Sequence, residues 1–217
     1  MKKIIFGLFV VLSQVAYSQI SKNFGDFNSV KAYDRINVTL VKSSENRVEI
    51  KGDDVEIVNK NGELKIRMIP TKIMQGDKVF VTVYYEDIDE IQASQGSKIS
   101  SEDLESKKLS ITSNEGSVLN LYVDTHLLNV KANSGGIINI SGTAETQDVL
   151  VNSGASYNGE DLKSEVTSVT ANAGGTAEIY ASKTINATTR AGGNIEVYGS
   201  PKNRNTKNVI GGRIDFK

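Results

Sequence analysis

Glycines recur at positions 96, 116, 135, 154, 174, 192 and 211, with gaps of 20, 19, 19, 20, 18 and 19 residues. A fixed period of that size admits few folds. It marks a unit too small to bury its own apolar face, which gains a core only by stacking on copies of itself. The neighbours keep register with the glycine. Five residues before it stand Ile91, Ile111, Val130, Val149, Val169, Ala187 and Thr206, and three before it Ala93, Ser113, Ala132, Val151, Ala171, Thr189 and Asn208. Three after it stand Ile99, Leu119, Ile138, Tyr157, Ala177, Ile195 and Ile214, and five after it Ser101, Leu121, Ile140, Gly159, Ile179, Val197 and Phe216. Small or apolar residues thus alternate with polar ones on both sides of the glycine, and a period of two means strands with one buried face. The pattern predicts an all-β chain: a right-handed parallel β-helix of about seven rungs of 18–20 residues over 91–217, each rung a strand, a glycine turn, a second strand and a looser return. A leucine-rich repeat has a similar period, but only Leu128-x-Val130-x-x-Asn133 hints at its signature, and the second strand does not fit it.

Two residues before the glycine, Asn114, Asn133, Asn152 and Asn172 occupy successive units. Stacked in register they form an asparagine ladder along the axis. The plainer reading is that asparagine favours turns.

Residues 19–90 lack the glycine period. Alternation persists in Ile36, Val38, Leu40, in Leu64, Ile66, Met68 and in Val79, Val81, Val83, and Asn61-Gly62 between two alternating runs is a hairpin signal. This part is expected to form a strand-rich, partly antiparallel N-terminal cap over the open end of the stack. Ahead of it, Met1-Lys2-Lys3, an apolar run from Ile4 to Leu12 and Ala16-Tyr17-Ser18 read as a signal peptide over 1–18, with Gln19 as the mature start. Export to the periplasm, the cell surface or the medium follows. The apolar run is too short to span a bilayer, and no membrane span is expected in the mature chain. Without cysteine, stability rests on packing alone. Removing Lys2 and Lys3 from 25 basic residues leaves 23 against 26 acidic, which argues against a nucleic-acid partner.

The order of several pieces carries a family resemblance. Phe27-x-x-Val30-x-Ala32-x-x-x-Ile36-x-Val38-x-Leu40, then Val48-x-Ile50-x-Gly52, then Asn61-Gly62-x-Leu64-x-Ile66 are followed by Asn-Ser-Gly at 133–135 and 152–154, by Tyr198-Gly199-x-Pro201 and by Gly211-Gly212-x-Ile214. The chain resembles the auto-transporter adhesin, head GIN domain family over nearly its whole mature length. That resemblance implies a secreted or surface β-helical protein, and it supplies no catalytic residues.

The residues themselves point away from chemistry. His126, the single histidine, stands in a return segment with no motif around it. As a general base it would need an orienting partner, and a surface histidine is the plainer account. No nucleophile elbow, P-loop or dinucleotide fingerprint is present. Without cysteine and with one histidine, neither a zinc site nor another cofactor is expected. A carbohydrate-active β-helix enzyme, lyase or hydrolase, is the alternative reading, on fold analogy alone.

One outward column stands apart. Four residues after the glycine the last rungs carry Glu178, Glu196 and Asp215, and two further on stand Tyr180 and Tyr198, where earlier rungs carry Asn120, Asn139 and Asn158 at the first position. Tyrosine rings beside carboxylates can stack on a sugar and bond its hydroxyls, so this strip is the candidate for a glycan or a weakly held cation. A solvated acidic face is the plainer account. The expectation is a non-enzymatic envelope protein that binds a glycan or an envelope component, with self-association left open.

Overall fold

The computed structural model describes residues 20–217, so the expected signal peptide lies outside the described residues. The N-terminal strands are β1 (Ile20–Lys22), β2 (Ser29–Ala32), β3 (Asn37–Lys42), β4 (Arg47–Lys51), β5 (Val55–Lys60), β6 (Glu63–Met68), β7 (Phe80–Tyr85) and β8 (Glu90–Ala93). The periodic part follows as β9 (Lys98–Ser113), β10 (Val118–Ala132), β11 (Ile137–Val151), β12 (Ser156–Asn172), β13 (Thr176–Tyr180), β14 (Thr184–Arg190), β15 (Asn194–Tyr198), β16 (Asn203–Val209) and β17 (Arg213–Phe216). From β9 onward every pairing is parallel and joins residues one period apart, as in Leu119↔Ile138 and Val130↔Val149. The repeat is a β-solenoid whose rungs turn at the seven periodic glycines.

Each turn carries two consecutive left-handed residues, for example Ser134 (φ 50°) and Gly135 (φ 72°). Glycine takes the second place at little steric cost. The turns also stack on each other: the N–H of Gly116 donates to the Ser134 carbonyl and that of Gly135 to the Ser153 carbonyl, at 3.2 Å each. The residue after the turn glycine points into the core and is always small: Ser97, Ser117, Gly136, Ala155, Gly175, Gly193. Close approach explains this column, because a Cβ on Gly193 would lie 2.2 Å from the Ala171 carbonyl oxygen.

The return segments are not loose. Strands β9 to β12 run unbroken from one turn to the next, and their inward positions add a further wall to the core. Leu104, Val123 and Leu162 fill one column of it, and Leu109, Leu128, Gln147, Thr167 and Ile185 another. On β10 the step from buried Thr125 to buried Leu128 breaks the alternation and marks the corner between walls.

The N-terminal part is more than a lid. β5 and β6 form the expected hairpin around Asn61-Gly62 (φ 55° and 81°), and β4 runs antiparallel to β7 and β1. However, β2 lies parallel between β6 and β8, and β3 parallel between β7 and β9. The first rung in sequence is therefore an inner layer of the stack. Its turn uses Asp34 (φ 58°) and Arg35 (φ 66°) in place of residue-plus-glycine, and Arg35 N–H donates to the Gln95 carbonyl at 3.0 Å, continuing the turn ladder. Val30 pairs with Ile91, and Val38 with Ile99, in the same columns as the later rungs. One hydrophobic core runs from Phe27 to Val197.

Candidate functional site

The strands that follow the glycine turns carry the strip on their outward side. Register places Asn120, Asn139, Asn158, Glu178, Glu196 and Asp215 in one column. Asn139 Nδ2 donates to Asn120 Oδ1, and Asn158 Nδ2 to Asn139 Oδ1, both at 2.7 Å. This amide ladder continues into the carboxylates. Asn158 Oδ1 faces Glu178, which has no hydrogen to give when ionised.

The turn column holds a separate ladder. Asn133 Nδ2 donates to Asn114 Oδ1 at 2.9 Å, Asn152 to Asn133 at 2.9 Å and Asn172 to Asn152 at 2.8 Å. It runs along the edge of the solenoid and holds the turns together, away from the strip.

Around the strip's amide ladder the surface is concave. A groove of about 1170 Å³ is floored by Ser100, Asn120, Asn139, Asn158 and Glu178. Two bulges shape its wall. β9 carries one extra residue between Ser101 and Leu104, opposite Leu121–Val123, and β12 one between Asn158 and Asp161, opposite Asn139–Ser141. Bulges re-aim side chains, and here Glu102, Asp103, Glu160 and Asp161 all line the groove. None of these carboxylates, nor Glu178, is in an ion pair among the described residues. Glu160 Oε2 is out of solvent without a hydrogen-bond partner. Tyr122, half exposed at 51%, stands among them.

Desolvation raises the Glu178 carboxyl above the usual range, and the charges of Glu160 and Glu196 add to that while Lys217 opposes it. The outer end of the strip is more nearly neutral. Lys217 Nζ lies 3.1 Å from Glu196, and Arg213 pairs with Asp215. Tyr180 and Tyr198 are in register on neighbouring strands, but Lys163 Nζ sits 4.3 Å over the Tyr180 ring. Tyr198 leans its hydroxyl to Glu196 at 3.4 Å. Of the residues singled out in the sequence, Glu178 thus joins the groove, while Tyr180, Tyr198, Glu196 and Asp215 form its paired continuation. Tyr122 was missed. It stands six residues after its glycine, the offset of Tyr180 and Tyr198, so extending that column toward the earlier rungs finds it.

Beneath the strip lies a buried polar network. Tyr157 Oη donates to Gln147 Oε1 at 2.8 Å, and Gln147 Nε2 and Thr167 Oγ1 both donate to the Tyr180 carbonyl, at 3.1 and 2.8 Å. Gly159 makes room for the tyrosine, since a Cβ there would lie 2.5 Å from the Tyr157 ring. His126 is elsewhere, on an exposed face, with Nδ1 2.7 Å from Glu145. Among the described residues no cluster of His, Asp and Glu is arranged to hold a metal ion, and no helix is long and apolar enough to cross a membrane.

A family model matches residues 26–201. The chain belongs to the family described as "Putative auto-transporter adhesin, head GIN domain". Solved structures share the head GIN domain's fold. A putative adhesin from Bacteroides fragilis superposes with a TM-score of 0.85 at 18% identity, covering 92% of this chain and 96% of that one. One from Parabacteroides merdae gives 0.72 at 18% identity over 92% and 95%. A putative lipid binding protein from Parabacteroides distasonis gives 0.67 at 13% identity over 92% and 96%. At these identities the likeness is one of fold. No curated protein matches the sequence.

Proposed function

We propose that this head GIN domain protein is exported and adhesin-like, holds an extended glycan along its groove and performs no catalysis. The carrying observation is the floor: amides from successive rungs, hydrogen-bonded to each other in register, under an open channel. Each such amide keeps a second N–H and a second lone pair for a ligand. A surface of this kind repeats at the strand spacing and suits a polymer lying along the axis. The family's description and the signal-like residues 1–18 support export to the cell envelope or beyond.

The test is a glycan array with the mature chain, repeated on Asn139→Ala and Tyr122→Ala. Binding to linear glycans that both substitutions weaken is expected, and retention unchanged in both would end the reading. The catalytic alternative is separated by incubation with a polysaccharide panel. New reducing ends or unsaturated products, lost in Glu160→Gln, would replace binding by turnover.

A further inference from the structure

Three features of the groove narrow the ligand beyond "a glycan". The first is charge. The floor from Ser100 to Asn158 is uncharged, whereas Glu102, Asp103, Glu160, Asp161 and Glu178 stand around it without ion-pair partners. Lys42, the cation among the lining residues, is engaged by the Glu86 carbonyl at 2.6 Å and by Asp87 at 3.4 Å. Such a channel repels uronate, sulfate or phosphate polymers and attracts cations, whose binding weakens with salt. The second is an unmet hydrogen bond. Glu160 Oε2 is out of solvent with no donor, which is costly for a carboxylate oxygen unless a ligand supplies one. The third is spacing. Equivalent floor groups repeat at about 4.8 Å, while an extended peptide advances by about 3.3 Å per residue and falls out of step. A β-1,4-linked pyranose chain advances per ring by slightly more than one such strand spacing, so over a few rings successive rings stay near successive amides.

We propose that the groove binds a linear, β-linked polymer of amino sugars, laid along the solenoid axis with one ring on each rung. This rests on the glycan reading above and adds the ligand's charge. The floor from Ser100 to Glu178 covers five successive rungs, about 19 Å at the strand spacing, enough for a short oligosaccharide. Ring hydroxyls bond the free amide groups of Asn120, Asn139 and Asn158. The protonated 2-amino groups face the carboxylates of the walls, with the Glu160 side chain turning Oε2 out of its buried position to accept from one of them. The exposed ring of Tyr122 packs on a sugar face.

The experiment is calorimetric titration of the mature chain with three hexamers: β-1,4-linked glucosamine, its N-acetylated counterpart and galacturonate, at low and raised salt. The glucosamine hexamer is expected to bind at least about tenfold more tightly than the N-acetylated one. That advantage should shrink with salt and in Glu102→Gln/Asp161→Asn, whose side chains are exposed and in no hydrogen bond or ion pair among the described residues. Tyr122→Ala should weaken both glycans alike. Equal binding of the two chitin-type hexamers, lost in Tyr122→Ala, overturns the amino-sugar proposal and leaves the groove reading standing. Binding of the galacturonate hexamer does the same. If none of the hexamers binds, the amino-sugar proposal falls, and the array result alone then decides the broader reading.

Discussion

Asn133 donates to Asn114 and accepts from Asn152, whereas Asn172, at the ladder's end, donates to Asn152 and leaves its own Oδ1 buried without a partner. Removing a buried hydrogen-bonding group costs about 1–3 kcal/mol when a partner is stranded. Asn133→Ala should therefore lower stability by about 1–3 kcal/mol, and Asn172→Ala by clearly less. Urea unfolding midpoints of the two variants measure this, and equal losses would mean that the ladder adds nothing beyond turn preference. Arg35 offers the opposite case. It occupies the left-handed place that glycine holds in the later rungs. Arg35→Gly removes that strain, gives up the exposed contact to Asp77 at 3.6 Å and the cover of the Arg35 stem over Gly96, and should stabilise by about 0.5 kcal/mol on the same unfolding curves. The asparagine column was readable because one residue type recurs at one offset. The Asp34–Arg35 turn was not, because stacking on Gln95 imposes its backbone conformation and its residue types do not announce it.

At the level of strands, β12 is one of the two that shape the groove by a bulge. Its bulge admits Glu160, whose charge adds to the partial desolvation that raises Glu178. The sign for stability follows from a carboxyl raised on folding. The folded state holds its proton more tightly than the unfolded state, so the ionised form is disfavoured on folding and stability falls as pH rises through the window from the unfolded to the folded value. Glu178→Gln should thus be more stable than the parent at neutral pH, with a new N–H available to Asn158 Oδ1. The difference should fade as the pH drops into the ordinary carboxylate range. Thermal midpoints across pH for both proteins check it, and a difference independent of pH would place the gain elsewhere. The core beneath makes a second demand. Tyr157→Phe leaves Gln147 Oε1 without its donor and should cost about 1–3 kcal/mol, whereas adding Gln147→Leu should recover part of that loss. The strands flanking the glycines and their inward columns were legible from alternation alone, whereas those of the return segments were not. The bulges were not, since one extra residue in a rung looks the same in sequence as a longer turn, and only register shows where it sits.

Across the whole molecule the two ends of the stack are finished differently. Antiparallel β4, β5 and β1 close the N-terminal end. At the other end two inward columns turn polar at Thr206 and Asn208 while Ile214 and Phe216 keep the other two apolar, and the Arg204 guanidinium lies 4.3 Å over the Phe216 ring. A charged side chain laid over an exposed strand edge disfavours pairing with a further copy. Arg204→Ala should lower the thermal midpoint and raise the light-scattering mass at high concentration, and an unchanged monomer would show that the strand edge itself is inert. By itself the sequence determined the local, repeating choices: strands with one buried face, turns at the glycines, stacking by period, and which residues share a column. These follow from alternation and backbone sterics, which act over a few residues. Only the tertiary structure decided that β2 and β3 slide between later strands, that the returns are strands with a wall of their own, and that Tyr122, Glu160 and the amide column border one groove. Those depend on contacts between residues far apart in the chain, where geometry rather than local preference sets the outcome.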